Sequence, residues 1–261
     1  MKKTNNKQKL KKRQIEILQL LYQFRFLKRT QIQTLLKHKH YHRIILRLNE
    51  LTDNNYVIKY YNKKVAGDIS VYSLGTGARK YFLKNQDETI NTSLLSRVWQ
   101  ERKYTTVFRN HCMFLADIYI SLIALTDNTN ARLKFLTKTD LHNMENLVLP
   151  HPDAFFSITE KLGSARRFFL DIFDLLPPRP ELRKRIKQYL VYYERNYWQD
   201  NNKNPFPSII FIAPDEKSKN YLKERILLAL KDSEEEVEFY LSTWEDIQKS
   251  GINKQVLLRV E

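Results

Sequence analysis

The spacing of apolar residues in the first third of the chain predicts three short amphipathic helices. Apolar side chains recur at intervals of three and four from Gln14, from Thr30 and from about Tyr41. The positions are Ile15, Leu18, Leu21 and Tyr22, then Ile32, Leu35 and Leu36, then Ile44, Ile45, Leu48 and Leu51. Thr30 followed by Gln33 is typical of a capping box, so we expect the second helix to begin there.

Two strand-like runs follow these helices, at residues 56–61 and 69–74. The turn-rich segment 62–68 separates them, which is the pattern of a hairpin. A further helix is predicted after Gly75-Thr76-Gly77. Three helices, a hairpin and a helix are the order of a winged helix-turn-helix domain, so we assign residues 14–84 to such a domain with the hairpin as its wing.

The pattern changes after the polar segment 85–92 and predicts a second domain over residues 93–261. Helix is predicted at 93–126, with an interruption near Thr105, and at 181–198 and 216–231. Strands are predicted at 133–137, 153–158, 167–172, 208–213 and 237–241, with a further strand start at Leu147-Val148. Helices and strands in this order indicate a mixed sheet flanked by helices. The predicted class is therefore α+β, a winged helix-turn-helix domain followed by a mixed α/β domain.

The charge of the chain lies almost entirely in the first of these parts. The formal net charge is +16, and residues 1–84 hold 20 Lys and Arg against four acids, whereas residues 85–261 hold 25 of each sign. Residues 1–13 contain seven Lys and Arg, no acid and one Leu, so we expect a basic flexible arm. Such an asymmetry predicts a basic module with its own partner joined to a neutral one.

Composition removes several classes of protein. The single cysteine, Cys112, excludes a disulfide framework and a cysteine-based zinc site. The most apolar stretch, residues 113–125, carries Asp117 in its middle, and the basic N-terminus lacks the apolar segment of a signal peptide. We therefore expect a soluble protein of the reducing cytoplasm, with no membrane partner.

Double-stranded DNA is the partner that the basic module predicts. The second helix of a helix-turn-helix pair enters the major groove, where basic side chains reach phosphates and guanine edges. The candidate contacts are Lys37, Lys39, His42, Arg43 and Arg47 on and before the third helix, Lys63 and Lys64 in the wing, and Lys11, Lys12 and Arg13 in the arm. The alternative is a winged helix that contacts protein and carries a solvated charged face.

A different set of side chains marks the second domain. A hairpin can place Asp153, at the start of one predicted strand, beside Asp171, at the end of the next, and Asp174 follows three residues later. Carboxylates that converge at a sheet edge can hold Mg²⁺, which generates the hydroxide that attacks a phosphodiester. The alternative is structural, with Asp153 as a turn residue after proline and Asp171 as a strand-end cap.

The order of several short motifs resembles the replication-relaxation family, proteins of plasmids and mobile elements that combine a winged helix with a PD-(D/E)XK-like nuclease core. The matching segments are Tyr72-Ser73-Leu74-Gly75-Thr76-Gly77, His111 with Asp117, Pro152-Asp153-Ala154, Phe168-Phe169-Leu170-Asp171-Ile172, Lys187-Gln188-Tyr189 with Tyr192-Tyr193, and 207–215. The resemblance also extends to the related MobC-class plasmid relaxases, which are thought to nick DNA at a transfer origin.

This resemblance implies that the mixed α/β domain over residues 93–261 is restriction-endonuclease-like, and it implies a set of site residues. Asp153 and Asp171 would be metal ligands for Mg²⁺ or Mn²⁺, with Asp117 as a third acid. His111 is a further catalytic candidate, although a lone histidine on an apolar helix is more often a core residue. The nuclease motif has a lysine where this chain has Phe173, and Lys187 is the candidate that could replace it. Tyrosines of the 189–193 segment are nucleophile candidates, or packing residues.

Two functions are compatible with these residues. The first is an origin-recognising DNA-binding protein of a plasmid or mobile element whose second domain is a metal-dependent relaxase or nickase. The second is a non-catalytic regulator or replication accessory factor, whose degenerate nuclease-like domain serves for dimerisation or docking. A homodimer on an inverted repeat, and contacts with other replication or transfer proteins, are compatible with either function.

Overall fold

The computed structural model describes residues 10–61, 69–85, 89–144, 147–161, 163–175, 177–202, 204–231, 236–253 and 255–261. The chain divides into two compact units, a first unit of residues 1–113 and a second unit of residues 114–261. The domain limits predicted from the sequence, 84 and 93, both fall inside the first unit. Residues 93–113 of the helical segment predicted at 93–126 therefore belong to the first unit, and residues 114–126 belong to the second.

The first unit contains a small antiparallel sheet among helices. In chain order its elements are α1 (Lys12–Phe24), β1 (Leu27–Lys28), α2 (Arg29–Leu35), α3 (Tyr41–Asp53), β2 (Val57–Tyr60), β3 (Val71–Leu74), α4 (Thr76–Asn85), α5 (Thr92–Glu101) and the start of α6 (Thr106–Thr129). The strands lie in the order β1-β3-β2 and all pairs are antiparallel. Three helices, a β2–β3 hairpin and a further helix thus occur in the order that the sequence predicts for residues 14–84.

Two helix starts differ from the sequence expectation. Helix α1 begins at Lys12, so Lys12 and Arg13 belong to a helix rather than to an arm, while residues 1–9 lie outside the described part. The buried Gln14 explains this start, because its side-chain oxygen accepts from the Lys11 backbone N at 2.9 Å and its amide donates to Glu50 of α3 at 2.8 Å. Hydrogen bonds to both the helix start and a neighbouring helix hold the first turn in place.

The capping box predicted at Thr30 and Gln33 is also wrong. Helix α2 begins one residue earlier, at Arg29, and the side-chain oxygen of Gln31 accepts from the Lys28 backbone N at 2.8 Å. Gln31 is buried and also donates to the Met113 carbonyl at 2.7 Å. Gln31, three positions after Lys28, therefore accepts the hydrogen bond from the N-cap backbone that the sequence pattern assigned to Gln33.

The turn between α3 and β2 approaches the segment after β3 very closely. A Cβ on Gly75 would lie 2.4 Å from the Asn55 carbonyl oxygen, and one on Gly77 would lie 3.0 Å from the same atom. Gly75 N donates to the Tyr56 carbonyl and Gly77 N to the Asn55 carbonyl, both at 2.8 Å. Glycine is required here because the two backbones are hydrogen-bonded at contact distance.

The second unit is built on a six-stranded mixed sheet. Its further elements are β4 (Arg132–Thr137), α7 (Lys138–Leu141), β5 (Ala154–Thr159), β6 (Ala165–Ile172), α8 (Arg179–Glu194), α9 (Tyr197–Asn202), β7 (Ser208–Ala213), α10 (Glu216–Lys231), β8 (Phe239–Thr243), α11 (Trp244–Ser250) and β9 (Leu258–Arg259). The sheet order is β4-β5-β6-β7-β8-β9. Strands β6, β7 and β8 are parallel neighbours, and the remaining pairs are antiparallel. The predicted α+β class is confirmed.

Central strands of this sheet are buried, as their continuous apolar runs predict. Phe169 of β6 and Phe211 of β7 are fully buried and pack against Tyr189 of α8, with ring centroids 5.9 and 6.0 Å apart respectively. On α6 and α11, Phe114 and Trp244 stack with centroids 3.9 Å apart. Helix α8 and strand β6 are thereby fixed against each other by large aromatic side chains.

Two predicted elements of the second unit are not as expected. The helix predicted at 181–198 is two helices, because Asn196 adopts a left-handed conformation with φ 52° between α8 and α9. Leu147 and Val148 are buried but belong to no strand.

Helix α6 is the most apolar helix of the described residues. Its length and composition alone would allow it to cross a membrane, and a third of the relevant window is buried inside the protein. Asp117 lies in its middle, and Ala116, Ile118 and Leu122 are buried. One face of α6 is therefore packed inside the protein, and Asp117 lies on its exposed side.

Candidate nucleic-acid interface and acidic site

The exposed face of α3 combines basic, amide and apolar side chains. His42, Arg43 and Asn49 are exposed, and Leu46 is 62% exposed. These positions are three or four residues apart and so share one face, opposite the buried Ile44, Leu48 and Leu51. Arginine and asparagine can pair with guanine and adenine edges, and an apolar side chain can contact a thymine methyl group. The charge pattern of the sequence predicted His42 and Arg43 but not Leu46 and Asn49, which carry no charge.

Arg47 is half-buried and is held by His38, which lies in the turn before α3. The Arg47 guanidinium donates to His38 Nε2 at 3.0 Å, and because arginine cannot accept, that ring nitrogen must be unprotonated. Burial, followed by the charges of Arg47 and Arg13, lowers the pKa of His38, while Glu16 opposes this. A neutral His38 therefore orients Arg47, and the start of α1 contributes its positive charge to the same region.

The other predicted DNA contacts surround this face. Lys37, with φ 51°, and Lys39 are exposed in the turn between α2 and α3. Lys11 and Lys12 are exposed at the start of α1, and Arg13 pairs with Glu16 at 2.7 Å. Lys63 and Lys64 of the predicted wing lie outside the described residues. The described cations of the α2–α3 turn, α3 and the α1 start thus form one basic surface, which we call the α3 surface.

In the second unit, Asp153 and Asp171 lie opposite each other on neighbouring strands. Ala154 pairs with Leu170, and Asp153 N donates to the Leu170 carbonyl at 2.9 Å. The carboxylate Oδ2 of Asp153 accepts from Ile172 N at 2.8 Å, and its Oδ1 is 3.8 Å from Lys138 Nζ. The hairpin therefore brings the two acids to the same end of the sheet.

Asp171 is fully engaged by two side chains of α8. Arg185 donates to Asp171 Oδ2 through Nε at 2.7 Å and to Oδ1 through Nη2 at 2.9 Å, and Tyr189 donates to Oδ2 at 3.0 Å. Arg185 also donates to the Tyr189 hydroxyl at 2.9 Å and to the Pro150 carbonyl at 2.7 Å. The carboxylate, guanidinium and phenol are all buried and form a closed network.

Electrostatics reinforce this network. Burial is the largest single influence and would lower the pKa of Arg185, but the charge of Asp171, Tyr189, the hydrogen bond to Asp171 and the charge of Asp153 together raise this pKa. Burial, then Asp171, raises the pKa of Tyr189 well above its ordinary value. Arg185 therefore stays charged and Tyr189 stays protonated. A buried, protonated phenol cannot act as a nucleophile, so the hypothesis that Tyr189 attacks DNA has no support in this geometry.

The donor set at these acids does not fit a divalent metal ion. Mg²⁺ needs oxygen ligands, and both oxygens of Asp171 accept hydrogen bonds from a guanidinium that already neutralises the carboxylate. Across the described ranges, no group of three or more His, Cys, Asp or Glu side chains could hold a metal. Asp117 is exposed on α6, and His111 is half-buried on the part of α6 that belongs to the first unit.

Neither position 173 nor position 187 places a lysine beside Asp171, where the nuclease motif has one. Lys187 is exposed and lines a groove with Leu149 and Tyr197, on a different side of α8 from Arg185. Phe173 packs its ring against Phe211 with centroids 5.3 Å apart, and its carbonyl accepts from Trp244 Nε1. The cation next to Asp171 is Arg185, which sequence analysis missed. The sequence feature that could have identified Arg185 is an arginine that lies four residues before a tyrosine, within the apolar face of the predicted helix.

The two units together define an α+β protein with a basic surface around α3 and a mixed sheet that carries two acids at one end. The chain belongs to the replication-relaxation family, whose model matches residues 18–209. The resemblance drawn from the short motifs is thus confirmed.

Other comparisons are less informative. A solved structure of the restriction endonuclease FokI is similar, with 12% identity, a TM-score of 0.31, and coverage of 93% of this chain and 45% of that one. This chain therefore spans less than half of that protein, and no activity is transferred from it. No curated protein sequence matches the chain significantly.

Proposed function

We propose that this protein binds duplex DNA through the α3 surface and acts in the replication or transfer of a plasmid or other mobile element. Membership of the replication-relaxation family supports the biological setting. The α3 surface supports the partner, because exposed cations flank a helix whose outer face can also read base edges. Such a protein would work in the cytoplasm.

The observation that carries this proposal is the pairing of His38 with Arg47. A neutral histidine fixes the guanidinium of Arg47 at the border of the α3 face, while the flanking Lys37, Lys39 and Arg43 remain exposed. A charged face that was merely solvated would need no such positioning. In this arrangement Arg43 and Arg47 would reach base edges, and Lys37 and Lys39 would contact phosphates.

For the second unit we propose a non-catalytic role in docking or positioning. Its two acids contact backbone N–H and guanidinium groups rather than open space, and the motif lysine is replaced by the packed Phe173. A nickase that uses Mg²⁺ or Mn²⁺ is the competing function. It would require Arg185 to leave Asp171.

Fluorescence anisotropy with duplex fragments of the parent element tests the DNA-binding part. If about six cations contact phosphates, affinity falls about a thousandfold between 50 and 200 mM salt. Lys39→Ala should reduce the slope of log K against log salt by about 0.9, whereas Lys217→Ala, an exposed cation of α10, should not. A flat salt response of the wild-type protein would contradict duplex binding through this surface.

Relaxation of supercoiled plasmid carrying the element's origin tests the second unit in the same preparation. We expect no cutting in the presence of Mg²⁺ or Mn²⁺. Metal-dependent nicking by the wild-type protein that is lost in Asp153→Ala, with duplex binding retained, would overturn the non-catalytic role and establish the nickase.

A further inference from the structure

A groove on the second unit has no role in the function proposed above. It has a volume of about 410 Å³ and lies between the segment 147–149 and one side of α8 and α9. Its described lining includes three cations, Lys184, Lys187 and Arg195, and no acid. We call it the tyrosine groove, because Tyr192 and Tyr197 also line it.

The three cations are available to a ligand. Lys184, Lys187 and Arg195 are exposed, and within the described part of the chain none of them forms an ion pair. Lys184 and Lys187 are one turn apart on α8 and Arg195 follows its last residue, so the charges extend over about 16 Å at 1.5 Å per residue. A line of unpaired cations of this length suits a polyanion rather than a single small anion.

Aromatic and aliphatic surface lies beside these charges. Tyr197 is 42% exposed and Leu149 is 65% exposed, while Tyr192 is largely buried at the base. Burial raises the pKa of Tyr192 to about 12, so its hydroxyl keeps its proton. Exposed tyrosine faces next to a basic track are the combination by which proteins bind single-stranded nucleic acid, since each base can stack on an aromatic ring while phosphates meet cations.

We propose that the tyrosine groove binds a single-stranded segment of DNA, with Tyr197 stacking on a base and Lys184, Lys187 and Arg195 contacting phosphates. The groove has the size of a small-molecule cleft and takes one or two nucleotides, not a double helix. An acidic peptide would use the cations but would leave the exposed Tyr197 and Leu149 without a matching partner. This inference rests on the proposal that the protein acts on DNA, and it gives the neutral half of the chain its own DNA contact.

The test uses the full-length protein with a fluorescein-labelled oligothymidylate, in the presence of enough unlabelled duplex to saturate the α3 surface. Tyr197→Ala should weaken binding about 5- to 150-fold, and Tyr197→Phe should retain it. Lys187→Ala should lower the salt slope by about 0.7. The matched control is Arg183→Ala, an exposed cation of the same helix that does not line the groove.

A second readout locates the contact. Photo-cross-linking of an oligonucleotide that contains 5-iodouracil should label the peptide that carries Tyr197. The proposal is overturned if Arg183→Ala and Lys187→Ala lower the salt slope equally, if cross-links occur only within residues 1–113, or if an oligoglutamate peptide displaces the oligothymidylate as well as unlabelled oligothymidylate does.

The two proposals fail in different ways. Duplex affinity measured without single strand should be unchanged in the groove variants and reduced in Lys39→Ala. A wild-type protein that binds no duplex but cross-links through Tyr197 would refute the role of the α3 surface alone. A protein that binds duplex but loses nothing with Tyr197→Ala would refute the groove alone.

Discussion

Replacement of Asp171 by asparagine should strongly destabilise the second unit. The carboxylate accepts two charge-assisted hydrogen bonds from Arg185, at 2.7 and 2.9 Å, and one from Tyr189 at 3.0 Å, all in buried surroundings. An asparagine side chain at this position would keep one acceptor and would turn an NH₂ group toward these donors. Breaking a buried pair by removing one partner costs about 3–5 kcal/mol, because the remaining charge stays buried. This is a large share of the roughly 5–15 kcal/mol that stabilises a typical domain.

Urea unfolding of the Trp99→Phe protein, followed by its tryptophan fluorescence, measures this change in the free energy of unfolding of the second unit. The chain has three tryptophans, and the two that remain, Trp198 and Trp244, both belong to the second unit. Glu224→Gln is the matched control, since its side chain is 67% exposed and its only described ion pair is long, at 3.7 Å. We expect the control to change the free energy of unfolding by less than about 0.5 kcal/mol. A change below about 1 kcal/mol for Asp171→Asn would refute the structural role of the network.

The same experiment distinguishes a structural from a metal-binding Asp171. A metal ion that binds only the folded protein stabilises it by about 2.7 kcal/mol at a hundred times its Kd. We expect Mg²⁺ or Mn²⁺ to leave the unfolding midpoint of the second unit unchanged in both proteins. A metal-dependent increase in wild type that is absent in Asp171→Asn would show that Arg185 yields the carboxylate to a metal.

Three further predictions concern the first unit. Gly75→Ala should destabilise the first unit by at least about 1–3 kcal/mol, because the new methyl group would lie 2.4 Å from the Asn55 carbonyl oxygen. Thermal unfolding measures this change, and an unchanged Tm would refute the close approach. Arg43→Ala should weaken binding to the cognate duplex by about 1–3 kcal/mol while changing binding to unrelated duplex much less; equal losses on both would assign Arg43 to phosphates. Because the pKa of His38 is lowered, the unfolded chain takes up that proton more readily, so stability should fall as pH drops through 6.5. His38→Gln should show a smaller loss between pH 7.5 and 5.5, and an identical pH profile would contradict the lowered pKa.

The elements that sequence analysis located best are those with a strong local pattern. The uniformly apolar run Ser208–Ala213 and the amphipathic run Glu216–Lys231 have the bounds that the pattern predicts for β7 and α10. Strands β1 and β9 were missed because each has two residues and forms only through pairing with a distant strand. The break between α8 and α9 depends on the left-handed Asn196, inside a segment whose apolar spacing is continuous.

The acidic site shows the same limit in its side chains. Hairpin geometry was enough to predict that Asp153 and Asp171 lie together, because cross-strand neighbours follow from the turn. The motif did not reveal which cation lies next to these two acids. Lys187 matched the expected residue type, yet a position two residues away on a helix turns Arg185 inward and Lys187 outward. A family motif constrains the order of residues, whereas the helix phase decides which of them meets the strand.

The net charge of residues 85–261 does not reveal which of their cations are buried, like Arg185, and which are exposed, like Lys187. Residues 85–261, about two thirds of the chain, hold 25 cations and 25 acids, which predicts no preference of this part for DNA. On α8, however, Arg185 is consumed by a buried carboxylate, while Lys184 and Lys187 on either side line a groove without a described acid. The Asp171–Arg185 pair removes one charge of each sign, so the locally basic surface arises because no acid is among the described residues that line the groove. The affinity for single strands that we propose for the second unit therefore depends on where its charges lie rather than on their sum.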